Sequence, residues 1–238
     1  MPTKSSTRTH LTWTAKPAPT RGPKPSLSAE HIARAAIRVA DAEGLAVLTM
    51  QRLAREVGLT TMALYRYFPG KADLIAMMID SIADEPLQFG RTSSPWNTCL
   101  KEWARRCLAI YHDHPWFLEA TTARQTLIGP NELAWMEAAM ALLAESGLGP
   151  KERRYAFLSV IGHVRGHATF QEIAMKSTTG KERAHALAKV VQQEATRYPH
   201  VQEVLRSGAF SESVGGAFDF GLDCILDGIR AQVIRRSR

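Results

Sequence analysis

Between Gln51 and Lys71 the chain gathers side chains suited to recognition: the Gln51 amide, the Thr60 and Thr61 hydroxyls, the Tyr65 and Tyr67 phenols, the Arg66 guanidinium and the Lys71 ammonium, with Met62 and Ala63 among them. A guanidinium fork matches two adjacent acceptors, while an ammonium or a phenol suits a single anionic oxygen. That chemistry grips a patterned polyanion and breaks no bonds; double-stranded DNA, with phosphates outside and distinctive base edges in its major groove, is the matching partner. A second set is His163 and His167, four apart, with His112 and His114 just before Pro115. The i, i+4 spacing is that of metal ligands. Yet no Glu beside His163 completes a hydrolytic H-E-x-x-H pattern, no Cys is near, and Glu172 is the nearby carboxylate, about a turn on. These histidines read as core or pocket lining, and neither a metal nor a cofactor is assigned.

The elements that must position the first set are legible. Met50, Leu53, Ala54 and Val57 fall at i, i+3, i+4 and i+7, the apolar stripe of a helix facing a small core. Gly58 stands where a helix needs a left-handed residue to stop, and Thr60 or Thr61 can cap the next one. In that next helix Leu64 and Phe68 point inward, Pro69-Gly70 ends it, and the polar and aromatic residues are left outside. Two helices joined by a glycine turn, the second exposed, form a DNA-binding helix-turn-helix. Ser28 to Gly44 supplies a preceding helix, with Ile32, Ala36, Ile37 and Ala40 inward.

The segment G-L-T-T-M-A-L-Y-R-Y-F-P-G-K-A-D-L (58–74) resembles the recognition segment of the TetR family of bacterial transcriptional regulators. The likeness runs over roughly residues 26 to 80. H-P-W-F at 114–117, the helix around YAFLSVIGHVRGHATF and the terminal FDFGLDCILDGIRAQV are similar to the ligand-binding, dimer-forming half of regulators like the tetracycline repressor. The resemblance implies a dimeric regulator whose effector binds in the C-terminal half, and it identifies no effector.

Charge agrees independently: residues 1–71 hold 11 Lys and Arg against 4 Asp and Glu, whereas residues 72–238 hold 19 against 19, so the whole excess of +7 lies on the DNA-reading end. No apolar run approaches the ~18 residues that span a bilayer, and residues 1–25 lack the apolar stretch of a secretory signal. A cytoplasmic protein without a membrane partner is expected. Cys99, Cys107 and Cys224 are read as reduced, structural thiols.

From Lys71 onward the chain reads as helix nearly throughout, so the fold expected is all-α: a flexible basic arm at 1–27, a helix-turn-helix domain at 28–72, and a larger helical domain at 73–238. Lys71 to Ala83 should connect the two domains, through Leu74, Ile75, Met78 and Ile82. The arm either is inert or lays Lys16, Arg21 and Lys24 along DNA. Helices are expected at Trp96–His112, Pro115–Gln125, Asn131–Ser146, Lys151–Met175, Lys181–Arg197 and Ser213–Val233.

Ala217, Gly221, Cys224, Gly228 and Ala231 recur at spacings of 4, 3, 4 and 3, a stripe of small residues beside the larger Phe218, Leu222, Ile225 and Ile229. Ser159, Gly162 and Gly166 make a similar strip. Smooth strips let backbones approach, and two copies of each helix would build a four-helix interface of a homodimer; the alternative is close packing inside one subunit. Trp103, His112, Trp116, Met140, His163, His167 and Phe170 are the candidates to line an effector cavity between helices. No Gly-rich phosphate loop, G-x-S-x-G elbow or catalytic triad accompanies them, so no catalytic residue is assigned and an enzyme is not expected. The reading is a repressor that binds a palindromic operator as a homodimer and is released by a small-molecule inducer; the alternative is a non-switching DNA-binding or partner-recruiting protein whose C-terminal half only dimerises.

Overall fold

The computed structural model describes residues 28–83, 94–123, 128–176, 180–193, 197–209 and 215–236. The expected arm at 1–27 lies outside them, as do residues 84–93 between the expected Lys71–Ala83 and Trp96–His112 segments. The described residues form eleven helices and no strand: α1 (Ala29–Glu43), α2 (Met50–Glu56), α3 (Thr61–Tyr65), α4 (Lys71–Ile82), α5 (Trp96–Asp113), α6 (Trp116–Ala123), α7 (Pro130–Glu145), α8 (Pro150–Lys176), α9 (Gly180–Gln193), α10 (Pro199–Arg206) and α11 (Gly215–Arg236). The all-α class is the one expected.

Two compact units divide these helices. The first holds α1 to α4, α6 and α7 as far as Ala138; the second holds α5, α7 from Ala139, and α8 to α11. The helix expected to connect the halves, α4, therefore lies wholly in the first unit. It is α7 that has residues in both.

In the first unit the caps do what the sequence asks. Ser28 Oγ accepts the His31 N–H at 3.2 Å, Thr49 Oγ1 that of Arg52 at 3.0 Å, and Thr60 Oγ1 that of Ala63 at 3.1 Å. The bond from Ser28 also holds the Glu30 carboxyl below its ordinary pKa. Gly44 and Gly58 take φ of 88° and 69°, left-handed turns that stop α1 and α2. Ile32, Ala36 and Ala40 of α1 are buried as expected, while Ile37 is half-buried and Val39 completes the face. Leu53, Leu64, Leu74, Met78 and Ile79 are wholly buried, a core that stabilises by roughly 1.5–3 kcal/mol per large side chain. Leu74 and Met78 are on the inner face of α4 as anticipated; Ile75 and Ile82 are half-buried.

In the second unit α5 and α11 both pack on α8. Leu100 and Trp103 of α5, Val160 and Val164 of α8, and Phe218, Leu222 and Leu226 of α11 fill the core. Across the wet edge Lys101 Nζ meets Asp223 at 2.6 Å and Arg105 meets Asp219 at 2.9 Å. α10 falls in residues 198–212, for which no element is expected; Val201, Val204 and Leu205 share one face at i, i+3 and i+4, yet none of its residues is buried.

Gly58 isolates a backbone effect, because nothing lies within 4 Å of a Cβ built there. Gly58→Ala should lower unfolding free energy by ~1–2 kcal/mol through φ alone, and Gly58→Asn by less, as urea titrations of the two variants would register.

Candidate DNA-reading face and effector half

α3 is held from beneath. Leu64 is wholly buried and Phe68 nearly so, and the chain after Tyr65 stays coiled, with Tyr67 and Phe68 N–H both donating to the Leu64 carbonyl. Around these anchors Met62 is 78% exposed, Tyr65 44% and Tyr67 38%, with Gln51, Thr60 and Arg66 also exposed and Thr61 and Ala63 half-buried. Thr60 spends its hydroxyl lone pair on capping α3, which orients the helix. Lys71 Nζ donates to the Leu45 carbonyl at 3.2 Å, which ties α4 to the α1–α2 loop and leaves further N–H donors on the ammonium. Arg52, one helix back, is clamped by Glu43 at 2.9 Å and Glu56 at 2.7 Å. Its charge is answered inside the unit, and the two carboxylates hold its pKa above the ordinary value.

In the second unit the structure brings together two of the seven effector candidates. His163 and His167 lie with ring centroids 6.5 Å apart, both against Phe218 of α11 at 5.1 and 5.2 Å. His163 Nε2 is 2.9 Å from the Phe218 carbonyl, which can only accept, so that nitrogen carries the proton. His167 is 7% exposed, and its Nε2 has no hydrogen-bond partner among the described residues. Burial, with His163 beside it, pushes its pKa below the ordinary 6.5. Trp103 is buried against Phe157 at 5.9 Å, and Met140 is half-buried. The other candidates are elsewhere. His112 is exposed and paired with Asp113, Phe170 is 68% exposed, and Trp116 sits buried in the first unit with its indole N–H on Asp41. Among the described residues no group of three or more His, Cys, Asp or Glu could hold a metal ion.

The small-residue strips divide. On α8 Ser159, Gly162 and Gly166 are exposed, with nothing among the described residues within 4 Å of a Cβ built on either glycine. On α11 Ala217, Cys224 and Gly228 are exposed, and Gly228 is equally open, while Ile225 is half-buried. Gly221 differs, because a Cβ there would collide with the His163 ring. Its smallness already has a use within one subunit, the alternative weighed for this stripe. Large side chains flank the open strips: Tyr155, Leu158 and Phe170 on α8, Phe220 and Ile234 on α11.

Residues 32–78 match the model of bacterial regulatory proteins of the tetR family, and residues 90–233 that of the tetracyclin repressor-like C-terminal domain. The chain belongs to this family. It is therefore a DNA-binding transcriptional regulator and not an enzyme. Over 242 aligned residues it is 35% identical to the HTH-type transcriptional repressor DrrR1 of Streptomyces coeruleorubidus, covering 95% of this chain and 86% of that protein. The TetR-family protein ActR of Streptomyces coelicolor, solved in complex with actinorhodin, superposes with a TM-score of 0.78 at 25% identity over 88% of this chain and 99% of that one. ActR in complex with (S)-DNPA gives 0.76 at the same identity, covering 88% of this chain and all of that one, at 100%.

Sequence reasoning passed over two carboxylates of the TetR-family head, Asp41 on α1 and Asp80 on α4. Asp41 accepts from Trp116 Nε1 at 2.7 Å and pairs with His114 Nδ1 at 2.8 Å. Asp80 is 4% exposed and accepts from the first turn of α7. Each had a faint signal: a buried indole N–H demands an acceptor, and Asp80 interrupts the apolar run of α4.

The lowered pKa of His167 has a thermodynamic consequence with a definite sign. Because the unfolded chain binds the proton more readily, this group's stabilisation is full above pH 6.5 and is lost as pH falls through that value toward the folded pKa. His167→Met should therefore flatten the fall in urea midpoint between about pH 7.5 and pH 5.5 relative to the natural chain; parallel profiles would remove His167 from the account.

Proposed function

We propose that this TetR-family chain is a homodimeric repressor that grips a palindromic operator through α2, α3 and Lys71 of each subunit and lets go when a small molecule occupies the second unit. The observation that carries the DNA half is the exposed set Met62, Tyr65 and Arg66 above a segment pinned by Leu64 and Phe68. Arg66, Thr61, Met62 and Ala63 stand nearest the base edges, with Gln51 and Thr60 beside them, and Tyr65, Tyr67 and Lys71 take phosphates. A regulator of the chromosome works in the cytoplasm, and among the described residues no helix is long and apolar enough to cross a membrane.

The dimer half rests on the open strips of α8 and α11, where a Cβ built on Gly162, Gly166 or Gly228 meets nothing among the described residues within 4 Å and exposed aromatic and aliphatic side chains stand on the same helices. Such open strips, with large apolar side chains exposed on the same helices, fit a second copy across a two-fold axis, and a two-fold protein calls for a two-fold operator. Ser159, Gly162, Gly166, Ala217, Cys224, Ile225 and Gly228 are assigned to that contact, with Gly221 now reserved for His163.

The effector half is supported by the complexes of ActR with actinorhodin and (S)-DNPA and by the repressor name carried by DrrR1. In this chain the His163–His167–Phe218 cluster, Trp103 and Met140 are the residues that would sense an effector. To act, it must bind the released conformation more tightly than the operator-bound one, since equal affinity for both would shift nothing.

A duplex selected from random sequence by the full-length protein tests the reading. The consensus should be two-fold symmetric; Arg66→Ala should cost ~1–3 kcal/mol and relax preference at one base pair per half-site, whereas Lys71→Ala should weaken all sequences and reduce the salt slope by about one. Base preference unchanged at every position in Arg66→Ala would refute the assignment. For the dimer, Gly228→Leu should destabilise the association by ~1–3 kcal/mol per subunit, and sedimentation showing an undiminished dimer at nanomolar concentration would place Gly228 outside the contact.

A further inference from the structure

A helix shared by both units is only as informative as the grip at its ends, and the grip on the start of α7 is unusual. The first free N–H groups of a helix are ordinarily satisfied by its own cap residue. Here another helix supplies the acceptor: Asp80 of α4 takes the backbone N–H of Asn131 at 2.9 Å and of Glu132 at 3.1 Å on the same oxygen, Oδ1. Asn131 Nδ2 returns a bond to the Asp80 carbonyl at 3.1 Å, and one turn later Trp135 Nε1 donates to the Ala83 carbonyl at 3.1 Å. The negative charge sits where the helix dipole favours it. Gly129, immediately before α7, completes the fit, because a Cβ there would overlap the Asp80 carboxylate.

The same α7, past Ala138, belongs to the second unit, where Ala139, Leu142 and Leu143 are buried. A tilt of α7 must therefore either carry α4 with it or break bonds that weaken steeply once stretched by about half an ångström. We infer that Asp80 is the positioning residue through which α7 registers the state of the DNA-reading head: when α4 is fixed against operator the α7 cap is tight, and when α4 is free to shift the first turn of α7 opens more often. By reciprocity, whatever loosens that turn from the other end of α7 weakens the hold on DNA. The inference rests on the proposed DNA reading and effector response, but its test needs no effector.

The test is amide hydrogen exchange on the full-length protein with and without the selected duplex, read over Gly129–Trp135. Bound duplex should slow exchange at Asn131 and Glu132 by about threefold or more. Asp80→Asn keeps an Oδ1 acceptor and should retain the response; Asp80→Ala and Gly129→Ala, which break the contact from opposite sides, should lose it while still binding duplex. Gly129→Ala decides the matter if Asp80→Ala fails to fold. Unchanged exchange at Asn131 and Glu132 in a natural chain that binds duplex would overturn the role of Asp80 and leave the DNA reading intact, as would a full response in Gly129→Ala. A protein that selects no duplex at all would overturn the DNA reading, and this inference with it.

Discussion

A helix of five residues cannot hold itself in water. Nucleating a single turn fixes several dihedrals for very few hydrogen bonds, so α3 exists because its surroundings impose it. Leu64 and Phe68 anchor it from below, the Thr60 hydroxyl closes its first turn, and the positive φ of Gly58 sets the angle at which it leaves α2. Every outward side chain of α3 inherits its direction from those four positions. Loss of any one would move the whole set.

The second unit solves a different problem. Its long helices carry apolar residues on more than one face, and a single copy of α8 can cover only part of them. Val160 and Val164 go inward, His163 and His167 close on Phe218, and the strip through Gly162 and Gly166 is left open. His167 Nε2, buried without a hydrogen-bond partner among the described residues, is a local cost of that arrangement.

What the sequence made legible was whatever depends on neighbours in the chain. Caps at Ser28 and Thr60, the glycine stop at Gly58, the inward Leu64 and Phe68 and most helix positions follow from local rules, and the structure has them. What it hid depends on contacts between distant segments. Asp80 meeting Asn131 across 51 positions and Trp116 meeting Asp41 across 75 leave no periodicity to read. Gly221 shows the limit clearly, since a small residue signals close approach but not whether the neighbour is another chain or the ring of His163. Phe170, large and aromatic, looked like cavity lining; its position on an open face of α8 is decided by helix phase relative to α5 and α11, which no local pattern encodes.

The separation of anchors from readers within α3 has an evolutionary consequence. Met62 and Arg66 contribute almost nothing to the core of the head, so substitutions there change folding free energy little, and in the proposed reading they affect chiefly which DNA is bound. Duplicated copies of such a gene can therefore drift toward new operators without passing through unfolded intermediates. In that reading the scaffold rests on Leu64 and Phe68, buried beneath the surface offered to DNA.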